Sequence, residues 1–145
     1  MRRAVRAIVI NDDKLLVMHR NKFGKEYDTL PGGNIELGET PQQALEREVG
    51  EETQLDISNP RMVFVEHAGV PYGDQLIFLC DSKGGEPALR PGSEEDHINQ
   101  MGKNLYKPDW VKISDLENLP FLSEKLKQHI LEAVKSGWPQ APLEF

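Results

Sequence analysis

The stretch Gly33-Asn34-Ile35-Glu36-Leu37-Gly38-Glu39-Thr40-Pro41-Gln42-Gln43-Ala44-Leu45-Glu46-Arg47-Glu48-Val49-Gly50-Glu51-Glu52-Thr53-Gln54-Leu55 decides how this chain is read. Thr40 suits a helix N-cap, Pro41 the first helical position, and Gln43 completes a capping box. The pattern predicts a helix over Thr40 to Leu55. On it, Glu48, Glu51 and Glu52 leave neighbouring positions on one side. They span an arc of about 100°, with Leu45 and Val49 directly beside it, so Glu48 and Glu52 flank the apolar stripe rather than oppose it. Like charges at a half-buried edge raise one another's pKa and destabilise the helix unless a cation neutralises them. Carboxylates without a nearby histidine favour Mg²⁺ or Mn²⁺ over zinc. Arg47 is a permanent cation that can orient a carboxylate or meet a phosphate. From the helix alone, a metal site and a solvated face of Glu–Arg pairs are both open readings.

Upstream, residues 3–10 and 14–19 read as strands joined by the turn residues Asn11-Asp12-Asp13. A polar segment, Arg20 to Glu26, leads to Asp28-Thr29-Leu30-Pro31-Gly32-Gly33. There, Pro-Gly-Gly is expected to break regular structure and let the backbone approach a neighbour closely. Downstream, Arg61 to Val70 and Gln75 to Asp81 read as strands rich in β-branched and aromatic residues. Residues 82–104 lack a clear period and read as a long loop, a kind that is often functional in compact domains. Tyr106 to Ile113 reads as a last strand, Ser114-Asp115-Leu116 as a helical turn, and Ser123 to Lys135 as an amphipathic helix. Residues 137–145 read as an irregular tail. With neither repeat nor linker, the expectation is one domain over residues 1–145, a mixed sheet with helices packed on it.

Composition excludes several classes. The chain has 145 residues, 38% hydrophobic and 28% charged, a soluble globular mix long enough to bury a core without metal or disulfide. Its 17 basic and 24 acidic residues give a formal net charge of −7. That balance argues against a nucleic-acid polymer or an anionic membrane as partner and, at first sight, against a phosphate-bearing substrate. Cys80 is the one cysteine, which excludes an intramolecular disulfide, and it closes the apolar run Leu76-Ile77-Phe78-Leu79 as a buried strand thiol. No apolar run approaches the ~18–20 residues of a membrane span, and the apolar core after the basic start is too short for a secretory signal. A cytoplasmic monomer or homodimer is expected.

The spacing Gly33, five residues, Glu39, seven residues, then Arg47-Glu48-Val49-Gly50-Glu51-Glu52-Thr53-Gln54-Leu55 resembles the signature box of the Nudix (MutT-like) hydrolases, G-x5-E-x7-R-E-U-x-E-E-x-G-U with U aliphatic. Six of its seven fixed residues are present, and Val49 and Leu55 fill the aliphatic positions. At ordinary residue usage, such a match arises by chance about once in 10⁴ chains of this length. Leu30-Pro31-Gly32-Gly33, Asp109-Trp110-Val111 and Ser114-Asp115-Leu116 also resemble the family's flanks. The resemblance implies an α/β/α sandwich and Mg²⁺-dependent hydrolysis of a nucleoside diphosphate linked to another moiety, such as a (d)NTP, a nucleotide sugar or ADP-ribose. It makes Glu48, Glu51, Glu52 and the Gly33 carbonyl the metal ligands, has Arg47 orient a catalytic glutamate, and has Glu39 support the loop. The departure is Gln54, where the pattern has a glycine that ends the helix in the left-handed region. A non-glycine residue pays on the order of 1 kcal/mol there, so a shifted loop after the helix is expected.

Family members differ in whether the general base lies in the box or on a later loop. Glu94 and Glu95, in Glu94-Glu95-Asp96-His97, are the alternative base here, beside the reading of a solvated acidic loop. Arg20 and Lys22, with Lys25, are placed to meet substrate phosphate, and Phe23, Tyr27, Tyr72 and Tyr106 can stack a base or serve as packing. His19, His67 and His129 have no partners at ligand spacing and read as structural. A Nudix domain that binds a nucleotide as a silent sensor and a nucleotide-free scaffold are the competing classes.

Overall fold

A computed structural model describes residues 2–145 of the chain. The first predicted hairpin forms as β1 (Arg3–Asn11) and β2 (Lys14–Lys22), with Asp12 and Asp13 at positive φ in the turn. Most of the polar segment Arg20 to Glu26 belongs to the sheet. β2 runs on to Lys22, and β3 (Lys25–Thr29) returns antiparallel to it, pairing Met18 with Thr29 through Lys22 with Lys25. Regular structure breaks at Leu30-Pro31 as expected, but it resumes within the glycines: Gly32–Asn34 forms a short strand, β4, antiparallel to Ala4–Arg6 of β1. The box helix α1 (Pro41–Thr53) starts at the predicted capping box. Then come β5 (Ser58–His67), β6 (Asp74–Asp81), β7 (Asn104–Lys112), a 3-10 turn (Ile113–Asn118) and the amphipathic helix Glu124–Ser136.

Two segments differ from the sequence reading. Within residues 82–104, Glu94–Gln100 form a short helix, α2, which makes Glu124–Ser136 α3. Ser93 caps α2 by accepting from the Asp96 N–H at 3.1 Å. The tail ends in β8 (Leu143–Glu144), parallel to Phe64 and Val65 of β5, with Phe145 packed near Phe64 and His129.

The eight strands form one mixed sheet in the order β3-β2-β1-β6-β5-β8, with β4 on β1 and β7 on β2. Strand alternation sends Val5, Ala7 and Val9 to one face, where they pack with Ala44, Leu45 and Val49 of α1. Ile8, Val17 and Ile77 face the other way, against Leu116 and against Leu126 and Ile130 of α3. A mixed sheet between helices is the expected α/β/α sandwich. One edge of β1 pairs first with β4, at Ala4–Arg6, and then with β2, only at Ile10 and Asn11. The sheet forks between these pairings, and Arg6, Met18, Arg20, Thr29 and Gly32 line the cleft at the fork.

Among the described residues, no helix is long and apolar enough to cross a membrane. Cys80 is buried, and burial pushes its thiol up to about 12, so it is no nucleophile.

Candidate active site

The two glycines before α1 bring its carboxylates against the sheet. A Cβ at Gly32, whose φ is +149°, would lie 1.9 Å from the Val5 carbonyl oxygen, so only glycine allows β4 to pair with β1 here. A Cβ at Gly33 would lie 2.6 Å from the Glu48 carboxylate. The Gly32 N–H in turn donates to Glu52 Oε1 at 3.0 Å. The loop is thus held from both sides, by β1 and by the helix.

Arg47 organises the loop that follows. Its Nε and Nη2 donate to the two oxygens of Glu39 at 2.7 and 2.9 Å, its Nη1 to Glu48 Oε1 at 2.8 Å, and its Nη2 to the Asn34 carbonyl at 3.1 Å. A bidentate Arg–carboxylate pair fixes both groups in orientation. The Arg47 guanidinium, helped by the Glu36 N–H, holds the Glu39 carboxyl at about 2. Arg47 is itself raised, chiefly by Glu39.

The carboxylates beyond it are moved the opposite way. Glu48 is 8% exposed and burial pushes it up to about 7, against the pull of Arg47. Glu52 is 3% exposed and burial pushes it up to about 8, against the Gly32 N–H and Arg6. Glu95, also raised by burial, comes from α2 to the same place. One oxygen each from Glu48, Glu51 and Glu95 lie within 4.8 Å of one another. Glu95 Oε2 is buried with no hydrogen-bond partner. An acceptor left bare in a cluster of acids calls for a cation, and all-oxygen donors suit a hard divalent ion.

The cluster lies in the fork cleft, of about 400 Å³, which Gly33, Glu48, Glu52, Glu94 and Glu95 help to line. Glu94 is exposed at the first turn of α2, whereas Glu95 turns inward. A second cleft, of about 490 Å³, adjoins the first and shares Arg2, Arg6, Arg20, Thr29 and Tyr106 with it. Lys22, Tyr27 and Tyr72 line this second cleft; Phe23 lines neither and projects from the β2–β3 turn, 70% exposed. Arg20 lies over the Tyr106 ring at 3.7 Å from its centroid and within 5.6 Å of that of Tyr27.

Sequence reasoning passed over Arg2, Arg6 and Asn104. For Arg6 a signal existed, since it interrupts the apolar strand Val5-Arg6-Ala7. Its guanidinium is held by Gln75 Oε1 and the Leu30 carbonyl, each at 3.1 Å, and burial weakens its grip on its proton.

Gln54 takes the left-handed conformation of the missing glycine, with φ 59° and ψ 14°. The loop therefore does not shift away as expected. The Gln54 side chain donates to the carbonyls of Ala88 and Leu89 at 3.2 and 3.0 Å. Backbone bonds from Ala88 to Thr53 and from Arg90 to Glu51 continue the bridge towards α2.

Two histidines also gain partners the sequence did not suggest. His19 lies between Asp28 and Asp109, and His67 between Asp74 and Glu144, and these carboxylates raise both imidazoles. Both tie strands together and neither lines the clefts.

A NUDIX domain model matches residues 1–133. The NAD-capped RNA hydrolase NudC of Pectobacterium atrosepticum is 32% identical over 79% of this chain, but over only 39% of its own length, so the chain spans about two fifths of that relative. An uncharacterized Nudix hydrolase, YvcI of Bacillus subtilis, is 28% identical over 94% of this chain and 81% of its own. Among solved structures, an ADP-ribose pyrophosphatase from Streptococcus suis superposes with a TM-score of 0.68 at 22% identity, covering 99% of this chain and 98% of its own. A MutT structure from work on Aliivibrio salmonicida and Vibrio cholerae gives 0.67 at 22%, covering 90% and 96%. At these identities the structures speak for the fold, and the matched domain speaks for the lineage: the chain belongs to the Nudix hydrolase family.

Proposed function

We propose that the protein is a Mg²⁺-dependent pyrophosphohydrolase that cleaves a small nucleotide, a nucleoside diphosphate linked to another moiety, by attack of water on phosphorus. The observation that carries this is the meeting of Glu95 with the box glutamates, one of its oxygens bare among acids raised by burial. Glu48, Glu51 and Glu52, with the Gly33 carbonyl, are the ligands for Mg²⁺ or Mn²⁺. When bound, the cation neutralises phosphate oxygens and makes water more acidic. Arg47 keeps Glu48 in one orientation through their 2.8 Å hydrogen bond, with Glu39 holding Arg47 in place. Glu95, supplied by a separate element and with its Oε2 unclaimed by any protein donor, is the base that takes the proton of the attacking water. Arg20, Lys22 and Tyr27, in the adjoining cleft, contact the rest of the nucleotide.

The left-handed Gln54 favours this reading over a silent sensor, because the box helix ends as it would with glycine. The test is turnover of a panel of (d)NTPs, nucleotide sugars, ADP-ribose and NAD with Mg²⁺ or Mn²⁺, products being separated by chromatography. Turnover is expected for at least one class, with a loss of about a hundredfold or more in Glu52→Gln. A panel untouched by the wild type, with Glu52→Gln indistinguishable from it, would sink the enzyme; nucleotide binding by such an inert protein would make it a sensor.

A further inference from the structure

The arginines of the joined clefts are held in place by neutral acceptors rather than by direct ion pairs, although the Glu48 and Glu52 carboxyls also act on Arg6. Arg6 donates to Gln75 Oε1 and the Leu30 carbonyl, both at 3.1 Å. Arg2 donates to Asn34 Oδ1 at 2.9 Å and to the Pro71 carbonyl at 3.1 Å. Arg20 donates to the Leu105 carbonyl at 3.1 Å and to Asn104 Oδ1, and stacks on Tyr106. Every one of these acceptors is a neutral oxygen. Among the described residues, none of the three forms an ion pair, although Glu48 and Glu52 line the same cleft. Among the described residues, no protein atom accepts the remaining N–H groups of these guanidiniums. A rigid fork with its charge unspent is a recognition element for a phosphate.

The charge balance says which phosphate. With divalent cations bound, the charge of the glutamates would be offset. Arg2, Arg6 and Arg20 are then left over, and a diphosphate bridged to a neutral sugar has nothing more to give them. A terminal phosphate supplies roughly −1.5 to −2 further charges at neutral pH and three acceptor oxygens.

We propose that Arg6, flanked by Arg20 and Arg2, is a fixed subsite for a terminal phosphate, so that the cleft selects a nucleoside triphosphate over a diphosphate bridged to a neutral sugar. This rests on the hydrolase reading for the place of cleavage, but the subsite can be measured without turnover. The bis-methylene analogue of ATP and the methylene analogue of ADP-ribose, both inert, are titrated calorimetrically into wild type, Arg6→Gln and Arg6→Lys in Mg²⁺. The ATP analogue should bind wild type at least about tenfold more tightly, the worth of one charge-assisted hydrogen bond. Arg6→Gln should weaken the ATP analogue about tenfold more than the ADP-ribose analogue, and Arg6→Lys should restore part of the difference.

Equal binding of the two analogues by wild type, or an Arg6→Gln loss equal for both, overturns the subsite. Should Arg6→Gln fail to fold, Arg20→Gln carries the same comparison under the same criteria. Turnover without this selectivity removes the subsite and leaves the hydrolase. Selectivity in a protein that hydrolyses nothing removes the hydrolase and leaves the subsite.

Discussion

At position 33 a hydrogen stands where a methyl carbon would press to 2.6 Å on the Glu48 carboxylate. Gly33→Ala must therefore push aside the Glu48 carboxylate, the far end of a flexible side chain, and the strained hydrogen bond to Arg47 costs about 1 kcal/mol or less. Urea unfolding is expected to show that loss and steady-state assays a larger fall in rate; wild-type activity in Gly33→Ala would deny Glu48 its role. Glu95→Gln keeps the shape of the side chain and removes its basicity, for an expected loss of about 10²–10⁴ in kcat. Glu94→Gln, at an exposed position, should have a far smaller effect, and equal losses would argue against Glu95 as the base. Glu48, Glu51 and Glu52 were legible in the sequence because helical spacing alone puts them together. Glu95 was legible only as an acid in a polar segment, since its neighbourhood is made by the tertiary contact of α2 with the box helix. Phe23 misled for a related reason: proximity in sequence to Arg20 and Tyr27 does not survive the turn, which points it to solvent.

The elements that carry these residues are short, and their ends matter. Ser93 is the N-cap of the seven-residue α2, and Ser93→Ala is expected to cost about 1 kcal/mol and to loosen Glu95 with it. Its signature is reduced kcat together with faster amide exchange across residues 94–100; a fall in stability with kcat unchanged would separate the cap from the site. At the end of α1, Gln54→Ala keeps the left-handed strain and loses both side-chain hydrogen bonds, while Gln54→Gly loses the bonds but relieves the strain. Alanine should therefore be the less stable of the two, by about 1 kcal/mol in denaturant unfolding. The long elements were legible because their periods are: the β1–β2 hairpin, α1 with its capping box, and α3. α2 is too short to show a period, and β4 is a strand only because Gly32 lets it lie against β1. β8 owes its existence to pairing with β5, far away in the chain.

For the molecule as a whole, the buried acids set how stability depends on pH. Glu48 and Glu52 hold protons up to about 7 and about 8 in the folded state, against an ordinary value of 4.5. As pH rises from about 4.5 to 8, the unfolded chain releases protons that the fold retains, so stability falls across that window. His19 and His67, raised by their carboxylates, act in the same sense: their contribution is present below the ordinary 6.5 and is lost as pH rises through their folded values. Glu39, held at about 2, acts oppositely and loses its contribution as pH falls from 4.5 towards 2. Metal-free protein should thus melt highest near about pH 5 and progressively lower towards pH 8. Added Mg²⁺ should raise the melting temperature most at the upper end, where it no longer competes with protons. A melting temperature flat from pH 5 to 8 without metal would contradict this. The net charge of −7 says little about what the clefts can bind, because Arg2, Arg6 and Arg20 line them alongside the buried acids. The hydrogen-bonded bridge from Gln54 to residues 88 and 89 also bears on how relatives can diverge. Where glycine closes the helix, only the backbone bonds from positions 88 and 90 tie the segment to α1, and it should gain or lose residues more readily. Where a long amide stands, the reach of that segment is set, and insertions within it carry Glu95 out of place. Position 54 and the length of residues 82–93 should therefore covary among homologues, a substitution in one tracking an insertion or deletion in the other.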